Sequence, residues 1–196
     1  MAQVVVLRPG YAYTDTKGRF HAGATVSLVI ASEVRLLVDS GGPAERELIV
    51  EALARHNLRT GDIDYVVVTH GHIDHVGNLN LFPNATCFMA HDRSHADQFE
   101  TLDFSGGPRE IATDVHLMVT PGHTSEDLAV LVTTSDGVVA IVGDLFENAH
   151  DQEGDTWIPF SRDPPEQIRS RAAILARADF IVPGHGDRFA IRAARE

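Results

Sequence analysis

The stretch His70-Gly71-His72-Ile73-Asp74-His75 constrains this chain more than any other. It follows the apolar run Tyr65-Val66-Val67-Val68-Thr69, which reads as a buried strand. Three imidazoles and a carboxylate therefore leave one strand end together. Imidazole nitrogen and carboxylate oxygen suit zinc and other first-row divalent ions. In a strand-to-helix turn, His70 and His72 can point one way while Asp74 and His75 point another. One turn can then serve two neighbouring ions. The plainer alternative is a histidine-rich loop without a metal.

Three further strand-like runs end in the same manner. Val115–Val119 leads to Thr120-Pro121-Gly122-His123, residues 138–142 lead to Gly143-Asp144, and Phe180–Val182 leads to Pro183-Gly184-His185. Glycine beside a ligand lets the backbone turn sharply, and proline fixes the approach. The repeated order of apolar run, break and ligand favours the metal reading over the loop.

With Leu37-Val38-Asp39-Ser40-Gly41, these pieces resemble the metallo-β-lactamase superfamily, from about Gly23 to His185. The resemblance implies an αββα sandwich with a metal site at the sheet edge. It implies that His70, His72 and His123 hold one ion, that Asp74, His75 and His185 hold the other, and that Asp144 bridges them. Asp39 would orient ligands through hydrogen bonds, although an ordinary turn aspartate is its simpler reading. Two divalent ions about 3.5–4 Å apart can share a water and bring its pKa toward ~7, giving a bridging hydroxide. The expected chemistry is hydrolysis of an ester-like bond, with Asp74 and Asp144 steering the nucleophile's proton. Zinc is the first expectation for both ions. Iron and manganese suit the same donors.

Features of the branches narrow the choice. A cysteine ligand would stand at Asp144 in the lactamases that use one. Little chain follows His185, so the glutathione-binding helical domain of glyoxalase II-like thioesterases is not expected. Too few residues separate Asp144 from His185 for the inserted domain of the long RNA-cleaving members. A further resemblance, carried by residues 74–83, 142–147, 157–170 and 178–185, is to the metallo-β-lactamase-domain-containing protein 1 family. It implies a compact hydrolase related to the RNA-cleaving branch, with 3′-end cleavage of histone pre-mRNA proposed for animal members. The leading expectation is thus an endoribonuclease of single-stranded RNA. A small-molecule thioester or lactone hydrolase is the alternative. A mono-iron dioxygenase and a non-catalytic metal-binding regulator stand behind both. At residues 122–127, Gly122-His123-Thr124-Ser125-Glu126-Asp127, the group tolerates variation, which leaves substrate contacts there open.

Composition fits an enzyme of one domain, with 196 residues and 43% hydrophobic content. No apolar run approaches the ~18 residues of a membrane span. The run Val4-Val5-Val6-Leu7 is too short for a signal-peptide core. Cys87 is the sole cysteine, so no internal disulfide forms, and a buried apolar role in a strand is expected for it. These features point to the cytoplasm, with the nucleus as alternative, no membrane partner, and a homodimer left open. Sixteen basic against 28 acidic residues give a net charge of −12, which opposes indiscriminate nucleic-acid binding. A small neutral substrate meets no such barrier.

Periodicity places the remaining elements. Residues 24–30 and 34–38 read as paired strands. Residues 43–56 read as a helix with Leu48, Ile49, Ala52 and Leu53 inward. Asp163-Pro164-Pro165-Glu166 starts a second helix, reaching about Ala178 with Ile168, Ala172 and Leu175 inward. Arg169 and Arg171 would lie on its solvated face. Asp92, after His91, reads as a helix cap. Residues 11–22, 99–109 and 147–160 read as loops framing the pocket. Within them His21, His150 and Trp157 are candidate substrate-rim residues, and Phe160 would join Trp157 as an apolar wall.

Overall fold

The computed structural model describes residues 1–191. The first half runs β1 (Gln3–Arg8), β2 (Tyr11–Thr14), β3 (Phe20–Gly23), β4 (Val26–Ile30), β5 (Arg35–Val38), α1 (Arg46–Arg55), β6 (Tyr65–Val68), α2 (Ile73–Val76), β7 (Thr86–Met89), β8 (Asp92–His95) and β9 (Gln98–Thr101). The second half runs β10 (Arg109–Ala112), β11 (Val115–Val119), β12 (Leu128–Thr134), β13 (Gly137–Ile141), α3 (Pro164–Leu175), β14 (Phe180–Val182) and β15 (Phe189–Ala190).

Two sheets form, in the orders β1-β4-β5-β6-β7-β8-β9 and β10-β11-β12-β13-β14-β15, with β2 and β3 as a separate hairpin. Strand alternation explains the layers. Val29, Leu36, Val38 and Val67 from the first sheet meet Val130, Val132, Val139 and Ile141 from the second. Their neighbours Leu28, Leu37, Val66 and Val68 face Ile49 and Leu53 of α1. Ala129, Leu131, Ala140 and Val142 face Ile174 of α3. Helix, sheet, sheet and helix thus stack as the expected αββα sandwich. No helix among the described residues is long and apolar enough to cross a membrane.

The catalytic edge is set by strand direction. Strands β5, β6 and β7 run parallel, as do β13 and β14. The C-terminal ends of β5, β6, β13 and β14, with that of β11, carry Asp39 and the seven candidate metal donors. Two backbone bonds tie the sheets together at this edge. Leu128 N donates to Thr69 O at 2.8 Å, and Thr25 N donates to Gly184 O at 2.7 Å.

Several sequence expectations shift. Residues 11–22 form the β2–β3 hairpin instead of a loop. Asp92 begins β8, which turns back on β7, and is not a helix cap. Residues 99–101 complete β9 before the chain becomes irregular. Leu48 is 48% exposed while Ile49, Ala52 and Leu53 are buried. Helix α3 is rotated from its apolar pattern. Gln167, Ser170, Arg171 and Ile174 are buried, whereas Ile168 and Leu175 are exposed. The reason is that its inner face serves loops as well as the core. Gln167 Nε2 donates to Asp144 O and Leu145 O, each at 3.2 Å. Ser170 Oγ donates to Pro121 O at 2.7 Å. Arg171 donates to Leu145 O at 3.0 Å and to Asp151 O.

Trp157 moves from the expected rim to the interior. It is 3% exposed and lies against the Arg171 guanidinium, which also covers Phe146. The stack replaces the solvent Arg171 loses, since a cation over an aromatic face is attracted to its quadrupole. Trp157→Ala should therefore cost about 3–5 kcal/mol of folding stability, as for other buried large-to-small changes. Denaturant unfolding of the metal-stripped protein measures it, and a loss below about 1 kcal/mol would place Trp157 outside the core.

Candidate metal centre

Asp39, the first residue beyond β5, has φ 61°, a left-handed conformation that aspartate tolerates through local hydrogen bonds. Its buried carboxylate accepts from Thr69 N at 2.8 Å, from Thr69 Oγ1 at 2.9 Å and from His75 Nδ1 at 2.8 Å. His75 thereby has Nδ1 committed and Nε2 free. His185 follows the same rule, with Nδ1 donating to Gly23 O at 3.1 Å. His70 Nδ1 lies 3.2 Å from Thr69 Oγ1. Such outward bonds fix the tautomer and aim the other nitrogen inward.

The inward atoms converge. His70 Nε2 is 2.9 Å from His72 Nδ1, which is 3.1 Å from His123 Nε2. Nitrogen ligands around a tetrahedral zinc stand about 3.3 Å apart, given bonds of about 2.0–2.1 Å. Asp74 Oδ2 lies 3.9 Å from both His75 Nε2 and His185 Nε2. Asp144 stands between the groups. Its Oδ2 is 3.5 Å from His70 Nε2 and 3.3 Å from both His123 Nε2 and His185 Nε2. Its Oδ1 is 3.2 Å from His75 Nε2. Two donor sets result, His70/His72/His123/Asp144 and Asp74/His75/His185.

The donor sets fit divalent ions on a second ground. The buried atoms Asp74 Oδ2, His75 Nε2 and Asp144 Oδ1 have no hydrogen-bond partner. Buried polar atoms are nearly always satisfied, so orphans gathered at one point call for a ligand. The cluster forms a divalent-metal-binding arrangement of histidine and aspartate.

Its electrostatics follow from confinement. Burial and then the neighbouring His75 hold His70 well below the usual imidazole range. Burial is also the main cause bringing His123 down to about 4. For His185 burial is outweighed by the hydrogen bond and charge of Asp144, raising it to about 9. His75 is likewise raised against burial by Asp144 and Asp39. Glu147 is pushed up to about 8 by burial and then by Asp144.

Glu147 is the residue the sequence did not single out. It ends the stretch Val142-Gly143-Asp144-Leu145-Phe146-Glu147 and is 7% exposed. Its Oε2 is 3.7 Å from His185 Nε2, and its Oε1 is 3.8 Å from His123 Nδ1. With Asp144 and His185 it makes a third donor group. An acid so close after Asp144 at a strand end was the available signal.

The rim also differs from expectation. A cleft of about 160 Å³ opens onto the cluster, walled by Phe20, Ala22 and Phe160. Because β3 alternates, Phe20 and Ala22 face the cleft and His21 faces away. His21 instead stacks on Tyr13 and lies 3.2 Å from Asp15 Oδ2. His150 is exposed on the turn Ala149–Gln152, where its N donates to Asn148. Phe160 does line the cleft, stacked on Phe20 at 5.6 Å.

In the metal-free protein these shifts give a stability optimum. His185, raised above its usual 6.5, adds stability that is complete below 6.5 and lost as pH rises through about 9. Glu147, raised from 4.5, adds stability that is complete below 4.5 and lost as pH rises to about 8. His123, depressed, adds stability that is complete above 6.5 and lost as pH falls toward about 4. Chelator-treated protein should therefore unfold most reluctantly between about pH 4.5 and 6.5, where the His123 gain and the Glu147 loss offset each other, and less so on either side. Denaturation midpoints across the range test this, and a midpoint rising steadily to pH 9 contradicts it. A second test uses Gly184, where a methyl group would overlap Asp144 Oδ1. Gly184→Ala should lower zinc affinity about tenfold or more while circular dichroism stays unchanged. Undiminished affinity would remove Asp144 from the metal centre.

Comparison with known proteins agrees with this architecture. A family model described as the metallo-beta-lactamase superfamily matches residues 22–91. Metallo-beta-lactamase domain-containing protein 1 of Xenopus laevis is 40% identical over 192 residues, covering 96% of this chain and 81% of that protein. The protein of the same name from Rattus norvegicus is 38% identical, covering 96% and 77%. Among solved structures, a putative metallo-beta-lactamase from Thermotoga maritima has a TM-score of 0.73 at 20% identity, covering 96% of this chain and 99% of that one. An N-acyl homoserine lactone hydrolase with N-hexanoyl-L-homoserine at its catalytic metal centre has a TM-score of 0.66 at 19% identity, covering 94% and 92%. Those identities speak for the fold, and the vertebrate relatives speak for the family: this chain belongs to the metallo-β-lactamase superfamily, as a metal-dependent hydrolase.

Proposed function

We propose that this chain is a two-metal hydrolase of a small, uncharged ester-like substrate, a lactone, thioester or ester with an apolar group. The observation that carries this reading is the cleft wall. Phe20, Ala22 and Phe160 supply apolar surface beside the cluster, and no lysine or arginine among the described residues lines it. The acids Asp74, Asp144 and Glu147 line it instead.

In this reading His70, His72 and His123 hold one ion, Asp74, His75 and His185 hold the second, and Asp144 touches both. When bound, such ions polarise a carbonyl and make a water ionise near neutral pH. Asp74 turns Oδ2 toward His75 and His185 and lines the cleft, so its other carboxylate oxygen is the one left to take a proton. Asp39, through His75, keeps one ligand in register. Phe20 and Phe160 exclude water and seat the apolar group. A lactone hydrolase of the same fold gives a precedent for such a substrate.

Single-stranded RNA, which the sequence put first, is the competing substrate. Two divalent ions could anchor one scissile phosphate. The flanking phosphates would then meet a chain of net charge −12 with no lysine or arginine among the described residues at the cleft wall. Affinity for a polyanion grows with the number of phosphates neutralised.

One preparation tests both readings. Elemental analysis should find two divalent ions per chain. Lactone or thioester turnover should change little between roughly 50 and 200 mM salt, because an uncharged substrate releases no counterions. His72→Ala and Asp74→Ala should abolish it, and Phe160→Ala should raise KM more than it lowers kcat. RNA cleavage that outpaces ester turnover, and that vanishes in the same variants, would overturn the assignment in favour of a nuclease.

A further inference from the structure

Five histidines converge on the metal centre, and the far side of each ring is accounted for in four. His75 leans on Asp39, His185 on the Gly23 carbonyl and His70 on Thr69. His72 is exposed, so its far nitrogen can reach water. His123 is the exception. It is 6% exposed, its Nε2 joins the His72 and Asp144 donors, and its Nδ1 is buried with no partner. An imidazole that ligates through one nitrogen carries a proton on the other. A buried N–H left unpaired costs about 1–3 kcal/mol.

One acceptor faces that atom. Glu147 Oε1 lies 3.8 Å from His123 Nδ1, and it too is buried without a hydrogen-bond partner. The two orphans answer each other: one needs an acceptor and the other a donor. A closure of about 1 Å brings them to the usual N–H···O distance. The backbone is already set for it. Glu147 N donates to Asp151 Oδ2 at 2.6 Å, and its carbonyl accepts from His185 N at 2.8 Å. The side chain is therefore held at both peptide groups, and only its end has to move.

We propose that Glu147 is the positioning residue of the His70/His72/His123 half of the centre, accepting a hydrogen bond from His123 Nδ1–H and so fixing that ring's tautomer and aim. This mirrors what Asp39 does for His75 in the other half. Each half then has one carboxylate behind one histidine. The inference rests on the metal-centre reading, which zinc binding by the unsubstituted protein tests separately.

The experiment compares Glu147→Gln, which keeps a carbonyl acceptor, with Glu147→Leu, which removes it. Both are made in the His185→Ala background, where the second donor set is disabled. Zinc alone is titrated against a chromophoric chelator, and cobalt spectra report the ligand field. Glu147→Leu should weaken zinc binding about 10–100-fold and shift the cobalt bands, the usual effect of losing such a partner. Glu147→Gln should stay within a few-fold. Equal affinity in both variants and the parent overturns the proposal. So does an equal loss in both, which would make the charge itself a ligand. Should the leucine variant fail to fold, nitrogen-labelled histidine in the zinc-loaded unsubstituted protein decides. A downfield, slowly exchanging Nδ1 proton on His123, retained in Glu147→Gln, supports the bond, and a freely exchanging proton there overturns it. Failure of the unsubstituted protein to bind zinc would count against the metal centre, a result distinct from any of these.

Discussion

The structure depends on one buried carboxylate among imidazoles. Asp144 is 5% exposed, with ring nitrogens of His70, His75, His123 and His185 at 3.2–3.5 Å. A charge taken out of water is costly unless paired and hydrogen-bonded. His75 and then His70 hold the Asp144 carboxyl well below its usual range, against the pull of burial. The four histidines arrive from three different strand ends, so the pairing ties both sheets to one point. Gly184 shows how closely the loops must pass, since no side chain fits between its backbone and Asp144. The polar inner face of α3 completes the arrangement. Gln167 and Ser170 hold the carbonyls of Asp144 and Pro121, the loops that present Asp144 and His123. A helix with an apolar inner face would pack as well but would leave those carbonyls unanswered.

What the sequence could reveal followed its periodicities. Strands β4, β5, β6, β11 and β14 are apolar, β-branched runs with a break at the end, and each was readable. The seven donor residues lie just past such breaks, and the structure brings all seven together. Positions were lost where a tertiary demand overrode a local pattern. Ile168 and Leu175 look like a core stripe, but the face that touches the loops is one residue away, at Gln167 and Arg171. Arg171 reads as a surface charge only because nothing local reveals that Trp157 and Phe146 will enclose it. The β2–β3 hairpin has no apolar alternation, and its facing had to wait for the structure. Once Phe20 faces the cleft, His21 cannot. Glu147 escaped for a related reason: a buried acid is recognisable only by what surrounds it.

The two halves of the centre are supported unequally. The Asp74/His75/His185 half rests on finished hydrogen bonds, from His75 to Asp39 and from His185 to Gly23. Asp39 itself is tied to Thr69 by backbone and hydroxyl. The His70/His72/His123 half is looser. His72 is exposed, and His123 relies on Glu147, whose Oε1 stands 3.8 Å from it where Asp39 stands 2.8 Å from His75. The looser half is also the one bordering a second groove of about 270 Å³, lined by Gly71, His72, Met89 and Ser125. Rigid support belongs where a ligand must stay fixed, and freedom is tolerable where a substrate must enter. His72 lines both this groove and the cleft walled by Phe20 and Phe160, and Asp74 lines that cleft. The same division explains why an acidic protein can carry so many acids at its centre. Divalent ions held there would offset the charge of Asp74, Asp144 and Glu147, while the acidic excess elsewhere on the chain still opposes polyanions.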